Sequence, residues 1–250
     1  MSRRRSGLTA LVLAGLAAVT VGALHYAPGQ FDAAPSIGGD PTVSAAAGVT
    51  APLQQAGLVN GTTVNAAAVR TILDEIPPTA AAPTSTYDRD SFGPAWADSD
   101  RNGCDQRNDT LARDLTAVTY KPGTHDCVVL TGTLHDPYTG REIPFTRGES
   151  TSTGVQIDHM VPLSWAFQHG ASSWPEERRQ QLATDMSNLT AVDGPTNAAK
   201  SDQGPGSWLP SSSSYDCTYV TRFTYVVHRY ELTIDTADRD AIARVLYTCK

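Results

Sequence analysis

Residues Val155–Pro205 read VQIDHMVPLSWAFQHGASSWPEERRQQLATDMSNLTAVDGPTNAAKSDQGP. Val155–Asp158 is short, apolar and β-branched, and reads as a strand ending at His159. Asn188–Val192 reads as a second short strand. Between them, Pro162–His169 and Pro175–Thr184 have helical character, and Asn197–Lys200 opens a further helix. The order is strand, helical excursion, strand, helix.

The chemistry sits at the seams of these elements. Asp158 and His159 are adjacent at a strand end, where neighbouring side chains point to opposite sides. One can hold a metal while the other faces a substrate, provided a bend brings both to one cleft. Carboxylate and carboxamide oxygens suit Mg²⁺, Mn²⁺ or Ca²⁺, not zinc. A histidine beside such a site can act as general base on water near neutral pH. Lys200, one helical turn after Asn197, can take a phosphate charge. These are the parts of a metal-assisted phosphodiester hydrolase.

The order D-H-x-x-P, then N-L, then N-x-x-K-S-D resembles the HNH endonuclease motif in its ββα-metal form, as in the HNH domain of RNA-guided CRISPR effectors and in GmrSD-type restriction nucleases. The wider frame resembles exported actinobacterial HNH-family proteins, in which a block like Tyr87–Leu111 precedes the motif and a Cys-containing helical tail follows. The resemblance covers about Leu73 to Cys249. It implies an α+β fold with a ββα-metal core, helical additions and disulfide staples. It implies Asp158 and Asn197 as metal ligands, His159 as general base and Asn188 as the residue orienting it. Lys200 and Arg107 would contact phosphate, and Pro162 would shape the turn after the strand. Mg²⁺ is the expected ion, with Mn²⁺ or Ca²⁺ as alternatives. DNA is the expected partner, RNA the second, with no stable protein partner. One departure is the spacing of 29 residues from His159 to Asn188, which makes Trp165–Asp185 an excursion over the site.

The remaining chain sets the context. At 250 residues and 40% hydrophobic, it can bury a core without a metal or disulfide. A net charge of −7 argues against a protein that coats nucleic acid through a basic surface. A nuclease needs only a local basic groove. Arg3–Arg5 followed by an apolar run from Leu8 to Leu24 describes a signal peptide over 1–27, with an uncleaved anchor as the alternative. Residues 28–86 read as a low-complexity linker with one short helix around Val64–Ile76. The folded nuclease domain is expected over 87–250, secreted or anchored outside the membrane. Within it, Asp109–Val118 looks helical, Cys127–Leu134 a strand, Arg141–Phe145 its return, and Asp235–Cys249 a helix. The four cysteines form no C-x-x-C pair, and an even count in an exported chain reads as two disulfides. Cys104–Cys127 and Cys217–Cys249 are expected because each pair brackets one compact block.

Asp98–Asp109 has the D-x-D-x-N-G-x₅-D spacing of an EF-hand calcium loop. Pro94 makes Ser91–Ala97 a poor entering helix, and Cys104 lies within the loop. The stretch therefore reads first as an Asp/Asn/Gly turn. His125, His135, His169 and His228 read as structural or surface groups. Absence of G-x-S-x-G and H-E-x-x-H disfavours a serine or zinc hydrolase. The rival to a secreted endonuclease is a non-catalytic exported binding module, calcium-stabilised in one version, with Asp158 and His159 structural.

Overall fold

The computed structural model describes residues 50–80 and 83–249. The expected signal peptide and the first part of the linker, to residue 49, lie outside the described residues. Residues 50–55 are helical, and β1 (Val59–Asn60) and β2 (Thr63–Val64) form a small hairpin. Helix α1 (Ala66–Glu75) begins at Asn65, whose side chain accepts a hydrogen bond from the Ala68 amide. That cap satisfies one of the amides that a helix start leaves unpaired.

Leu53, Leu58, Val64, Val69, Leu73 and Ile76 are buried in one core with Phe223, Val226, Val227 and Ile242. The expected domain start at Tyr87 is thus corrected: folded structure begins by residue 50, and the linker reading does not hold for 50–80. The physical reason is periodicity. Val69, Leu73 and Ile76 recur every three or four residues, and the Ala-rich stretch around them favours helix as much as linker.

Helix α2 (Gln106–Asp114) runs directly into β3 (Leu115–Tyr120), which pairs with β4 (Val129–His135), and β4 pairs with β5 (Glu142–Thr146). The sheet is antiparallel. The helix expected over Asp109–Val118 is corrected at its end. Thr116, Val118 and Thr119 are β-branched, and the ladder to β4 takes residues 115–120.

A second sheet holds only β6 (Val155–His159) and β7 (Leu189–Asp193), antiparallel in unbroken register from Val155↔Asp193 to His159↔Leu189. Helices α3 (Leu163–Gln168) and α4 (Glu176–Thr184) lie in the excursion between these strands. Helix α5 (Gly194–Lys200) follows β7 at once, capped by the Asp193 carboxylate, which accepts from the Thr196 amide. A Cβ at Gly194 would sit 2.0 Å from the Thr153 carbonyl oxygen, so only glycine lets the chain turn here. Val155, Ile157, Leu189 and Ala191 pack with Leu111, Leu115, Val129, Leu134 and Phe145. The opposite face of the hairpin is left to α5. Helices α6 (Asp216–Arg229) and α7 (Thr236–Thr248) complete an α+β fold. Disulfides Cys104–Cys127 and Cys217–Cys249 are both present, the second tying the start of α6 to the end of α7.

Leu73→Ala is expected to lower unfolding free energy by about 2–5 kcal/mol, the usual loss for a buried leucine. Urea denaturation measures it. A change within about 0.5 kcal/mol, typical of surface sites, would place α1 outside the core.

Candidate active site

Alternation along β6 sends Asp158 and His159 to opposite faces. The unbroken register, continued by the Met160 amide donating to the Asn188 carbonyl at 2.7 Å, leaves no bend to bring them together. Asp158 faces α5 and is 5% exposed. Lys200, fully buried, donates to Asp158 Oδ1 at 3.0 Å and lies 2.9 Å from Oδ2. The same ammonium donates to the His159 carbonyl at 2.9 Å. Tyr138, also fully buried, donates its hydroxyl to Asp158 Oδ2 at 2.5 Å. The turn Asp136–Gly140 delivers this tyrosine. Asp136 accepts from the Thr139 amide within the turn and from the Asp193 amide at 3.0 Å, fastening the turn to the end of β7.

His159 emerges half-buried on the other face. Its Nε2 lies 2.9 Å from the Ala183 carbonyl oxygen near the end of α4. A carbonyl can only accept, so Nε2 carries the proton and Nδ1 is left with its lone pair. Burial pushes the imidazole down to about 4, against the Ala183 hydrogen bond and the Asp158 charge, with Arg89 and Lys200 adding to the depression. At neutral pH His159 is therefore neutral and able to accept a proton.

Asn188 is fully buried, and among the described residues its side-chain hydrogen bonds go to Val161 and Leu182, not to His159. Its Oδ1 accepts from the Val161 amide at 2.8 Å, and its Nδ2 donates to the Val161 and Leu182 carbonyls at 3.3 Å each. It clamps the end of α4 to the turn after β6, and so holds the segment carrying the Ala183 carbonyl. Arg113 and Arg222 satisfy the carbonyls around it: Arg113 donates to Met186 and Leu189, Arg222 to Ser187 and Leu189.

The other expected site residues make no hydrogen bond to the His159 imidazole, and Lys200 reaches only its backbone carbonyl. Asn197 donates its amide to Gln156 Oε1 at 2.9 Å, next along the face that carries Asp158. Lys200 is inside the protein, not at a surface where a phosphate would meet it. Arg107 is half-buried and donates to the Ser152 and Val155 carbonyls, with its guanidinium 5.7 Å from the Trp96 ring. Burial, then the neighbouring Arg147, holds Arg107 below its ordinary pKa. Sequence reasoning missed Tyr138 and the Ala183 carbonyl, since neither a lone turn tyrosine nor a backbone oxygen carries a spacing signal. It also missed Arg89, whose charge reaches His159.

For a divalent ion, Asp158, Asn197 and Gln156 offer oxygens of the right hardness. The arrangement does not fit one as it stands. The Asp158 carboxylate is already neutralised by Lys200 and bonded by Tyr138, and Asp158 and Asn197 share no partner. A second cluster, His169, Asp235 and Asp238, has ligand atoms within 4.8 Å of one another. Several of its atoms are engaged, while His169 Nε2 faces Asp235 Oδ2 at 3.6 Å. Asp238 accepts from Trp165 Nε1 and the Gly206 amide, His169 Nδ1 bonds the Trp165 carbonyl, and Asp235 caps α7.

The family model of the C-terminal domain of GmrSD restriction endonucleases matches residues 105–245, more than half of the chain. The chain belongs to this family. Membership in the GmrSD C-terminal domain family points to a nuclease-related role, a nucleic acid as substrate class and a divalent metal as cofactor class. The matched span takes in α2, both sheets and the hairpin–helix unit with His159. A protein of Arthroderma benhamiae, named an uncharacterized secreted protein, is 38% identical over 169 residues, covering 67% of this chain and 78% of the relative. No solved structure matches. Among the described residues, no helix is long and apolar enough to cross a membrane.

Two outcomes follow from the geometry of this GmrSD-type domain. Asp158→Ala strands Lys200 as an unpaired buried charge and is expected to destabilise the fold by about 3–5 kcal/mol. Adding Lys200→Met should recover most of that loss in urea melts. Wild-type stability of the single variant would show that the pair is not structural.

The imidazole of His159 titrates near 6.5 when unfolded and about 4 when folded, so the unfolded chain takes up the proton first. Its contribution to stability is fully present above the unfolded value and is lost as pH falls through the folded one. NMR of the His159 ring protons in chelator should give a midpoint about 4. A midpoint at the ordinary histidine value would remove the burial argument.

Proposed function

We propose that this chain is an exported endonuclease of the HNH type that hydrolyses phosphodiester bonds of DNA, with RNA as second substrate, using His159 as general base. The observation that carries the reading is the geometry at His159: its Nε2 lies 2.9 Å from the Ala183 carbonyl oxygen, which leaves Nδ1 as the acceptor, at the end of a β-hairpin followed by a helix. Export is supported by the basic-then-apolar pattern of residues 1–27, by two disulfides, and by the secreted relative.

In this reading Nδ1 takes a proton from water as the water oxygen bonds to phosphorus. The P–O bond to the leaving oxygen breaks with its electron pair, the resulting alkoxide takes a proton from solvent water, and the His159 imidazolium returns its proton to solvent. The Ala183 carbonyl keeps Nε2–H in place throughout and stabilises the imidazolium that forms. Asn188 acts as a positioning residue through the backbone of α4. The HNH resemblance implies 5′-phosphate and 3′-hydroxyl ends. A divalent ion, Mg²⁺ first, would neutralise charge at the phosphate. No step of the scheme runs through it, because Lys200 holds the carboxylate that would receive it.

The closed Asp158–Lys200 pair favours one rival, a non-catalytic exported binding module. Plasmid nicking by the mature chain, across Mg²⁺, Mn²⁺ and excess chelator, separates the two. The nuclease reading expects nicking by the wild type and a fall of about 10²–10⁴ in rate for a folded His159→Ala protein. Asn188→Ala should lower the rate as well, with a displaced His159 titration that a purely structural asparagine would not cause. Equal rates for His159→Ala and wild type would falsify the assignment, and no cleavage under any condition would leave the binding module standing.

A further inference from the structure

The loop before α2 gathers oxygen donors that the proposed hydrolysis does not use. Asp98, Asp100 and Asn102 are exposed at alternate positions, and Asp109 lies half-buried on α2. Asp98 accepts from the Asn102 and Gly103 amides at 3.1 and 3.0 Å, which folds the loop back on its first residue. Gly103, the sixth residue, has φ +93°, a conformation that side chains disfavour. The Asn102 amide nitrogen sits among carboxylates, 3.1 Å from Asp100 Oδ2 and 3.3 Å from each oxygen of Asp109. A single weakly positive N–H₂ group thus stands where several anionic oxygens converge.

A separate observation comes from Gln106, the ninth residue of the twelve. It is 3% exposed. Its Nε2 donates to Ser99 Oγ at 2.7 Å, which draws the carboxamide inward against the Asp98–Asp100 segment. Its Oε1 is enclosed and has no hydrogen-bond donor among the described residues. A buried carbonyl oxygen left without a partner is costly, and such groups call for a donor or a cation. The ninth position is also the one from which an EF-hand loop supplies a ligand, directly or through water.

We propose that Asp98–Asp109 is a calcium site, held by the side chains of Asp98, Asp100, Asn102 and Asp109 with the Gln106 carboxamide as its inner oxygen. Asn102 Oδ1 accepts from the Cys104 amide at 2.7 Å and keeps a second lone pair for the ion, so on binding the Nδ2 group moves aside from the Asp100 and Asp109 carboxylates. The Asp100 and Asp109 carboxylates share a single neutral amide group between them, and a cation relieves that crowding. Calcium suits the loop better than magnesium, because it accepts more oxygens in looser geometry and sheds water readily. No entering helix is needed: Cys104–Cys127 and α2 anchor the loop instead. The site stands independently of the nuclease reading.

Calorimetric titration of the chelator-stripped full chain with CaCl₂ and with MgCl₂, alongside thermal melts, decides the matter. One Ca²⁺ per chain is expected with Kd between about 10⁻⁷ and 10⁻³ M, the span of sensor and extracellular loops. Melting temperature should rise with Ca²⁺, and Mg²⁺ should bind at least about tenfold more weakly. Asp100→Asn, at an exposed position that does not endanger folding, should weaken Ca²⁺ by about tenfold or more, and Gln106→Leu likewise. His159→Ala, outside the loop, should leave the calcium isotherm unchanged. No heat and no thermal shift at about 10 mM Ca²⁺, above that whole range, would overturn the site. Binding that survives Asp100→Asn but is lost in His159→Ala would place the ion at the hairpin and equally overturn it.

Discussion

A carboxylate and an ammonium are buried together at the middle of this molecule, and the hairpin–helix unit is arranged around them. Removing two charges from water is expensive unless each finds the other with good geometry and its remaining sites are filled. Lys200 does both, meeting the Asp158 carboxylate and the His159 carbonyl, and Tyr138 fills a further Asp158 site. Three separate pieces of chain are joined by this one contact: β6, the end of α5, and the turn after β4. The turn can reach because Asp136 fastens it to the Asp193 amide, and α5 can reach because Gly194 lets the chain pass under Thr153.

The same arrangement divides the two faces of β6 between different jobs. The face with Gln156 and Asp158 is closed by α5 and its lysine. The opposite face carries Val155 and Ile157 into the second core and ends in His159. The histidine is presented by the helical excursion, since the Ala183 carbonyl comes from the last turn of α4, and Asn188 holds that turn to residue 161. The long spacing from His159 to Asn188 therefore has a structural use. The inserted helices supply the hydrogen bond that sets the imidazole tautomer.

Much of this unit was legible in the sequence because its signals are local. Alternating β-branched residues mark Val155–His159 and Leu189–Asp193, Pro162 and Pro175 mark the starts of α3 and α4, and bracketed cysteines give both disulfides. Helix α5 begins three residues earlier than Asn197, because Asp193 caps it and Pro195 suits its first turn. Tertiary features were not legible. Lys200 reads as a phosphate contact until the fold buries it, and only a non-local contact links Tyr138 to Asp158. Residues 50–80 look like linker because Ala, Gly and Thr dominate them, yet a few apolar residues at helical spacing suffice to seat α1 on the core. The β3 boundary failed for a related reason: the pairing with β4 outweighs the helical run that precedes it.

The fate of the basic residues bears on how an acidic chain could meet a polyanion. Many arginines are turned inward, onto backbone carbonyls at the ends of other elements. Arg70 donates to the Leu246 carbonyl, Arg178 to Tyr230, Arg179 to Ser91, and Arg239 to Leu73 and Ile76. Helix ends leave such carbonyls unpaired, and a guanidinium with several fixed donors suits them better than a lysine does. These cations strengthen the fold and are then poorly placed to attract phosphate. With Lys200 also internal, the positive field near His159 rests on Arg89, with Arg107 and Arg147 clustered at the far end of β6. Any attraction of a polyanion to these groups would be local and strongly screened by salt. A net charge of −7 thus leaves room for a local basic patch only, not for a basic surface that coats a polyanion.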